Sequence, residues 1–171
     1  DRRALSVAML RGSFEFQGQK CSAASRAYVP TSVWNAIKDE YCADVAKITV
    51  GDPRDFTNFM SAVIDKKSFD NITGYIDRAK ADPGCEIVTG GGYDGSVGYF
   101  IEPTTIVCSD PKYESMSEEI FGPVLSVYVY PDEEFEAILK TCDETSEFAL
   151  TGSIFARDRR HIVTAMEALR Y

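Results

Sequence analysis

The sequence predicts an α/β layered domain built around a largely parallel sheet. Three observations predict it. Apolar residues recur at spacings of three and four in several stretches, as at Trp34, Ile37, Tyr41 and Val45 and again at Phe69, Ile72, Ile76 and Ala79, which gives an α-helix one buried face. Between these stretches lie runs of β-branched and aromatic residues such as Val124-Leu125-Ser126-Val127-Tyr128-Val129-Tyr130. The two kinds of segment alternate, and strands separated by helices of roughly 10 to 17 residues pair in parallel with the helices laid on the sheet.

Taken in order, Leu5, Ala8, Met9 and Gly12 set an opening helix, and 12–20 reads as a loop. A strand at 26–30 closes on Pro30, after which Thr31 or Ser32 is expected to cap the helix of Trp34 to Val45. The helix at 65–81 is stopped by Asp82-Pro83-Gly84, and strands follow at 86–89, 99–107 and 124–130. Asp132 begins a helix carrying Phe135, Ile138, Leu139 and Cys142 inward, with Asp132-Glu133-Glu134 a solvated cap on its dipole. A strand is expected at 151–156, and Asp158 caps a last helix through Ile162, Met166 and Leu169. The chain opens on Asp1 within a helix and closes at Tyr171 without a stop signal, so it is expected to be a piece of a longer protein, 1–171 forming one domain.

Composition removes several classes of function. At 44% apolar and 26% charged the chain can bury a core, and no apolar run approaches the roughly 20 residues that cross a bilayer, so no membrane partner is expected. Acidic residues outnumber basic ones by 27 to 18 and the basic ones are scattered, which argues against nucleic acid. Five cysteines without a C-x-x-C pair suggest free thiols in a reducing compartment. The single histidine, His161, reads as a surface residue and leaves neither a histidine-based metal site nor a Ser-His-Asp triad, so no metal is expected.

Two features carry possible chemistry. Gly90, Gly92 and Gly95 form G-x-G-x-x-G after a strand, but the following residues look extended, so a hairpin or loop is expected rather than a phosphate-binding helix start. Among the cysteines, Cys42, Cys108 and Cys142 occupy apolar positions, and Cys85 reads as exposed in a turn. Cys21 differs, because it follows Lys20 in a segment of small and polar residues, where a cation or the amides of a helix start would stabilise a thiolate. Residue chemistry alone leaves open a nucleophile or a partly buried loop cysteine.

The segment Phe14-x-x-x-Gly18-Gln19-x-Cys21 resembles the nucleophile segment of the aldehyde dehydrogenases, and Glu119-Ile120-Phe121-Gly122-Pro123-Val124 is similar to their E-[IV]-F-G-P-V segment. Gly98-Tyr99-Phe100-x-x-Pro103-Thr104 and Gly152 extend the resemblance over the whole chain. Within that superfamily, 18–23, 61–65, 94–100 and 124–131 resemble the 1-pyrroline-5-carboxylate dehydrogenases.

The resemblance implies NAD-dependent oxidation of L-glutamate γ-semialdehyde to glutamate in proline breakdown, with Cys21 as nucleophile and Ser22 holding the substrate carboxylate. Glu119 would accept hydrogen bonds from the nicotinamide ribose, and Phe121 would pack near the nicotinamide. Without the flanking F-G-P-V, Glu118 and Glu119 would read as two solvated acids. Phe14 would line the substrate pocket or the core, as would Phe16. The partners implied are a small aldehyde and further copies of the full-length chain, as a homodimer or larger assembly. The compartment implied is the mitochondrial matrix in a eukaryote and the cytoplasm otherwise. The family's cofactor domain, upstream general-base Glu and later substrate-anchor loop have no counterpart here, so the piece alone should have little activity. The rival readings are another aldehyde dehydrogenase with a different substrate and a catalytically silent fold used structurally.

Overall fold

The computed structural model describes residues 1–170, and Tyr171 lies outside the described residues. Helices α1 (Arg2–Phe14), α2 (Thr31–Val45) and α3 (Lys66–Ala81) precede most of the strands. The strands are β1 (Arg26–Pro30), β2 (Cys85–Thr89), β3 (Tyr93–Asp94), β4 (Phe100–Ile101), β5 (Thr104–Cys108) and β6 (Val124–Tyr130). Helix α4 (Glu114–Ser117) lies between β5 and β6, and α5 (Phe135–Glu144) and α6 (Arg159–Ala168) follow. The main sheet has the order β1-β6-β5-β2, with β6 parallel to both β1 and β5 and β2 antiparallel at the edge. The expected α/β domain with a mostly parallel sheet is therefore present.

Strand β6 lies between two helical layers, which is why its sequence is apolar almost throughout. Successive side chains point to opposite faces. Leu125 and Val127 enter a cluster with Met9, Phe14, Trp34, Ile37, Tyr41 and Val45 under α1 and α2, while Val124 joins Ile72, Ile76, Ile106, Met116 and Ile120 under α3. Interior polar pairs lie on both sides of the sheet, the Tyr41 and Thr105 hydroxyls 2.9 Å apart and Ser126 donating to Ser115 at 2.7 Å, whereas the buried Ser6 and Ser13 hydroxyls have no partner among the described residues.

Several local expectations need correction. Helix α1 runs through Gly12 to Phe14 and continues into a 3-10 turn at Glu15–Gly18, so 12–20 is not a loop throughout. Gly12 remains helical because tertiary contact holds it, its carbonyl accepting from Ala24 N–H at 2.9 Å. The expected strand at 99–107 is two strands, since Pro103 can offer no ladder N–H. The first piece, β4, pairs with β3 as a hairpin, so the glycine-rich motif opens no helix. Neither Thr31 nor Ser32 caps α2. Thr31 donates to the Tyr130 carbonyl at 3.0 Å, and the Asp132 carboxylate accepts from Ser32 N–H at 2.9 Å, so Asp132 caps α2 rather than its own helix. Residues 151–156 form no strand, and no described strand pairs with them. Strand propensity is realised only when a neighbour takes up the backbone groups. Cys85 is half-buried on β2 with its sulfur 4.0 Å from that of Cys108, not exposed in a turn. On α5, Ile138 and Leu139 are buried, whereas Phe135 and Cys142 are half-buried. Asp65 and Asp158 cap α3 and α6, accepting from Ser68 N–H at 2.7 Å and Arg160 N–H at 2.9 Å. No described helix is long and apolar enough to cross a membrane.

Candidate active site

The site begins at Phe14, which is fully buried and anchors the end of α1 in the core. Of its two readings, pocket wall or core, the structure places it in the core. Beyond it Phe16, Gln17 and Gly18 take φ of 56°, 58° and 65° in succession. Left-handed backbone costs an L-residue roughly 1–2 kcal/mol, so neighbouring bonds must hold this turn. Gln17 donates to the Ala62 carbonyl at 3.2 Å, and the Gln19 amide oxygen accepts from Ile64 N–H at 2.9 Å. Phe16 is pushed outward to 65% exposure, neither core nor enclosed wall.

The next residues form a tight turn, closed by Ala23 N–H donating to the Lys20 carbonyl at 3.0 Å, with Cys21 and Ser22 at its two central positions. Both are exposed. The two expected sources of thiolate stabilisation are placed differently. The Lys20 ammonium engages Glu15 at 3.3 Å, and Cys21 sits in a turn that leads to a strand rather than a helix. Glu15 also pairs with Arg11, and its carboxyl is held below the usual range chiefly by the Lys20 hydrogen bond. Cys21 is nevertheless the only exposed thiol of the five. Burial pushes Cys42, Cys85 and Cys142 up and Cys108 up to about 12, which keeps them as thiols.

The second segment runs from α4 into β6. Ile120 is buried in the α3 cluster, while Glu119 before it and Phe121 after it stand outside, the latter with φ of 57° and 45% exposure. Glu118 accepts from the Tyr75 hydroxyl, which pushes the Tyr75 phenol up to about 12, the hydrogen bond being the larger cause and burial the smaller.

Gly18 joins the two segments. A Cβ on it would overlap the Gly122 carbonyl and lie 2.7 Å from the Ser13 carbonyl oxygen, so the backbones of the Cys21 loop and the Glu119–Phe121 segment meet there. Only glycine allows both the positive φ and this approach. Backbone segments far apart in sequence, at Gly18 and Gly122, are thereby brought together. The clasp of Gln17 and Gln19 on 62–64 and the Tyr75–Glu118 bond were missed by sequence reasoning. The signal for the first was two long amide side chains in a segment of otherwise small residues.

The family model described as "Aldehyde dehydrogenase family" matches residues 1–171. The chain belongs to the aldehyde dehydrogenase family. Within the family it is similar to a mitochondrial delta-1-pyrroline-5-carboxylate dehydrogenase of Dictyostelium discoideum, with 58% identity over 161 residues, 94% of this chain and 29% of that protein. The corresponding mitochondrial protein of Homo sapiens is 48% identical over 162 residues, again 94% of this chain and 29% of that protein. Among solved structures, the Mycobacterium tuberculosis delta-pyrroline-5-carboxylate dehydrogenase bound with NAD superposes with a TM-score of 0.91 at 44% identity, covering 99% of this chain and 30% of that one. This aldehyde dehydrogenase chain thus spans about three tenths of the length of the relatives it matches.

Proposed function

We propose that residues 1–171 are the nucleophile-bearing catalytic domain of an NAD-dependent aldehyde dehydrogenase that oxidises L-glutamate γ-semialdehyde to L-glutamate. The observation that carries this reading is the Gly18–Gly122 joint, where the backbone of the loop bearing the one exposed thiol meets that of the segment bearing the exposed Glu119 and Phe121. The names of the relatives support the substrate, and the NAD-bound structure of one of them supports the cofactor.

In this reading the Cys21 thiol gives its proton to water, the thiolate sulfur bonds the aldehyde carbon, and the negative charge passes to the carbonyl oxygen, for which the Cys21 N–H at the turn is a donor. The Cys21 and Ser22 amides make no hydrogen bond to protein among the described residues, so they are available as donors. NAD, when bound, takes up the hydride that leaves that carbon. The carbon is then a thioester on Cys21. Water cleaves it to the acid and the free thiol, with a base outside this chain. Glu119 is an exposed carboxylate with no hydrogen bond among the described residues, and Phe121 offers an exposed ring two positions on. An acceptor pair and an aromatic face at that spacing fit a ribose diol and the flat ring attached to it. Ser22 donates to the substrate carboxylate, and Phe14 supports the pocket from beneath by fixing the start of the loop.

We propose further that the full-length protein works as a homodimer or larger assembly and, in a eukaryotic source, in the mitochondrial matrix; the word mitochondrial in the relatives' names supports the organelle. Steady-state kinetics of the full-length enzyme test the assignment. Cys21→Ala should abolish aldehyde oxidation, and substantial remaining turnover would remove Cys21 from the chemistry. Ser22→Ala deletes one charge-assisted hydrogen bond, so kcat/KM for glutamate semialdehyde should fall about 10- to 150-fold while propanal is little affected. An equal fall for both aldehydes would withdraw the substrate and leave a general aldehyde dehydrogenase.

A further inference from the structure

We propose that Tyr75 is a positioning residue for the cofactor-binding segment, acting through Glu118. The inference rests on the reading of Glu119 and Phe121 as the residues that hold NAD. Glu118 ends α4, with its N–H donating to the Glu114 carbonyl at 2.8 Å and its backbone extended at φ −100° and ψ 152°. In extended backbone, consecutive side chains point to opposite sides. Glu118 is turned onto α3 by the Tyr75 hydroxyl and Ile120 is buried against the same helix, while Glu119 between them is exposed and Phe121, in left-handed backbone at φ 57°, is exposed after them.

Helix α3 grips the segment at both ends. At its start are Tyr75 and Arg78, one turn apart on the same face. Tyr75 holds Glu118, while Arg78 binds Glu114 through two hydrogen bonds of 2.6 and 3.0 Å and lies 4.6 Å from the centre of the Tyr75 ring. At its end Gly122 packs on Ile72, where a Cβ would come within 2.7 Å of Ile72 Cγ1. Glu119, Ile120 and Phe121 span the interval between these two fixed points. The Tyr75 hydroxyl is a polar hold on the first of them, and the phenyl ring alone cannot supply it.

Steady-state kinetics of the full-length enzyme test the proposal with Tyr75→Phe, which keeps the ring under Arg78 and removes only the hydroxyl. Losing one hydrogen bond that orients the segment should raise KM for NAD about 3- to 10-fold, with KM for the aldehyde changing less than about 2-fold. Glu118→Ala should do the same, Glu118→Gln, which keeps an acceptor for the hydroxyl, should restore most of the affinity, and Tyr75→Phe with Glu118→Ala should be no worse than either alone. Additive effects, equal shifts in both KM values, or a lowered melting temperature with unchanged KM for NAD would overturn it. Glu119→Ala, measured alongside, separates the two levels. If it leaves KM for NAD unchanged, the cofactor reading itself fails. If it raises KM for NAD while Tyr75→Phe does not, only the role of Tyr75 is lost.

Discussion

Gly18→Ala tests the joint on which the site depends. The new methyl group stands in left-handed backbone at φ 65°, at a cost of roughly 1–2 kcal/mol for an L-residue. It also overlaps the Gly122 carbonyl and meets the Ser13 carbonyl oxygen at 2.7 Å, both of them backbone atoms that cannot rotate away. Relieving such an overlap by shifting the chain costs typically about 1–3 kcal/mol, so the substitution should destabilise by about 2–5 kcal/mol in all. At about 2–4 °C per kcal/mol for a unit of about 150–250 residues, the unfolding transition of this region in the full-length enzyme should fall by about 4–20 °C where it melts as such a unit. The surviving folded fraction should lose more than about tenfold in kcat, because the shift that relieves the overlap moves Cys21 relative to Glu119 and Phe121. Gly12→Ala is the internal comparison. Its Cβ would meet Ala24 Cβ at an ordinary 3.6 Å within α1, and alanine should be neutral or stabilising by up to about 1 kcal/mol. A Gly18→Ala enzyme that melts with the parent and retains its kcat would show that the two segments do not depend on each other.

Brief alkylation at mildly alkaline pH, mapped by mass spectrometry, should label Cys21 first and Cys108 last, because one is exposed and burial holds the other up to about 12; earlier labelling of Cys42 or Cys85 would refute this. Leu125→Ala, at a fully buried position of β6, should cost about 2–5 kcal/mol in denaturant unfolding, and a loss below about 1 kcal/mol would mean that the layer under α1 and α2 can close over the gap. Asp132 carries a pH dependence, since hydrogen bonds from Ser32 hold its carboxyl below the ordinary value in the fold. Its contribution is therefore complete above the unfolded value of about 3.9 and is lost as pH falls through the lower folded value. The melting advantage of the parent over Asp132→Ala should hold from about pH 7 to 5 and shrink on further acidification; an advantage as large at about pH 3 as at pH 7 would exclude the cap.

The strand at Val124–Tyr130, the strand at Arg26–Pro30 and the helix at Lys66–Ala81 were legible in the sequence, because each is specified by its own residues. A periodic apolar face, an Asp65 cap and an Asp82-Pro83-Gly84 stop act within a few positions of where they stand. The segments that carry Cys21, Ser22, Glu119 and Phe121 were legible for a related reason: their residue types recur together in the aldehyde dehydrogenase family, whose model matches the chain.

What the residues face was decided only in three dimensions. Lys20 follows Glu15 by one turn of chain and binds it, so the cation beside Cys21 in sequence is engaged elsewhere. Asp132 stands before α5 and caps α2, because β6 delivers it to the end of β1, where α2 begins. Residues 151–156 have strand-like composition and no partner, and a strand, unlike a helix, cannot satisfy its backbone from within. The contact of Gly18 with Gly122 depends on the order β1-β6-β5-β2, which sets the segment entering β6 beside the loop entering β1. Local sequence determines which conformation a segment prefers; pairing across a sheet brings distant segments together, as it does the Cys21 loop and the Glu119 segment at Gly18 and Gly122.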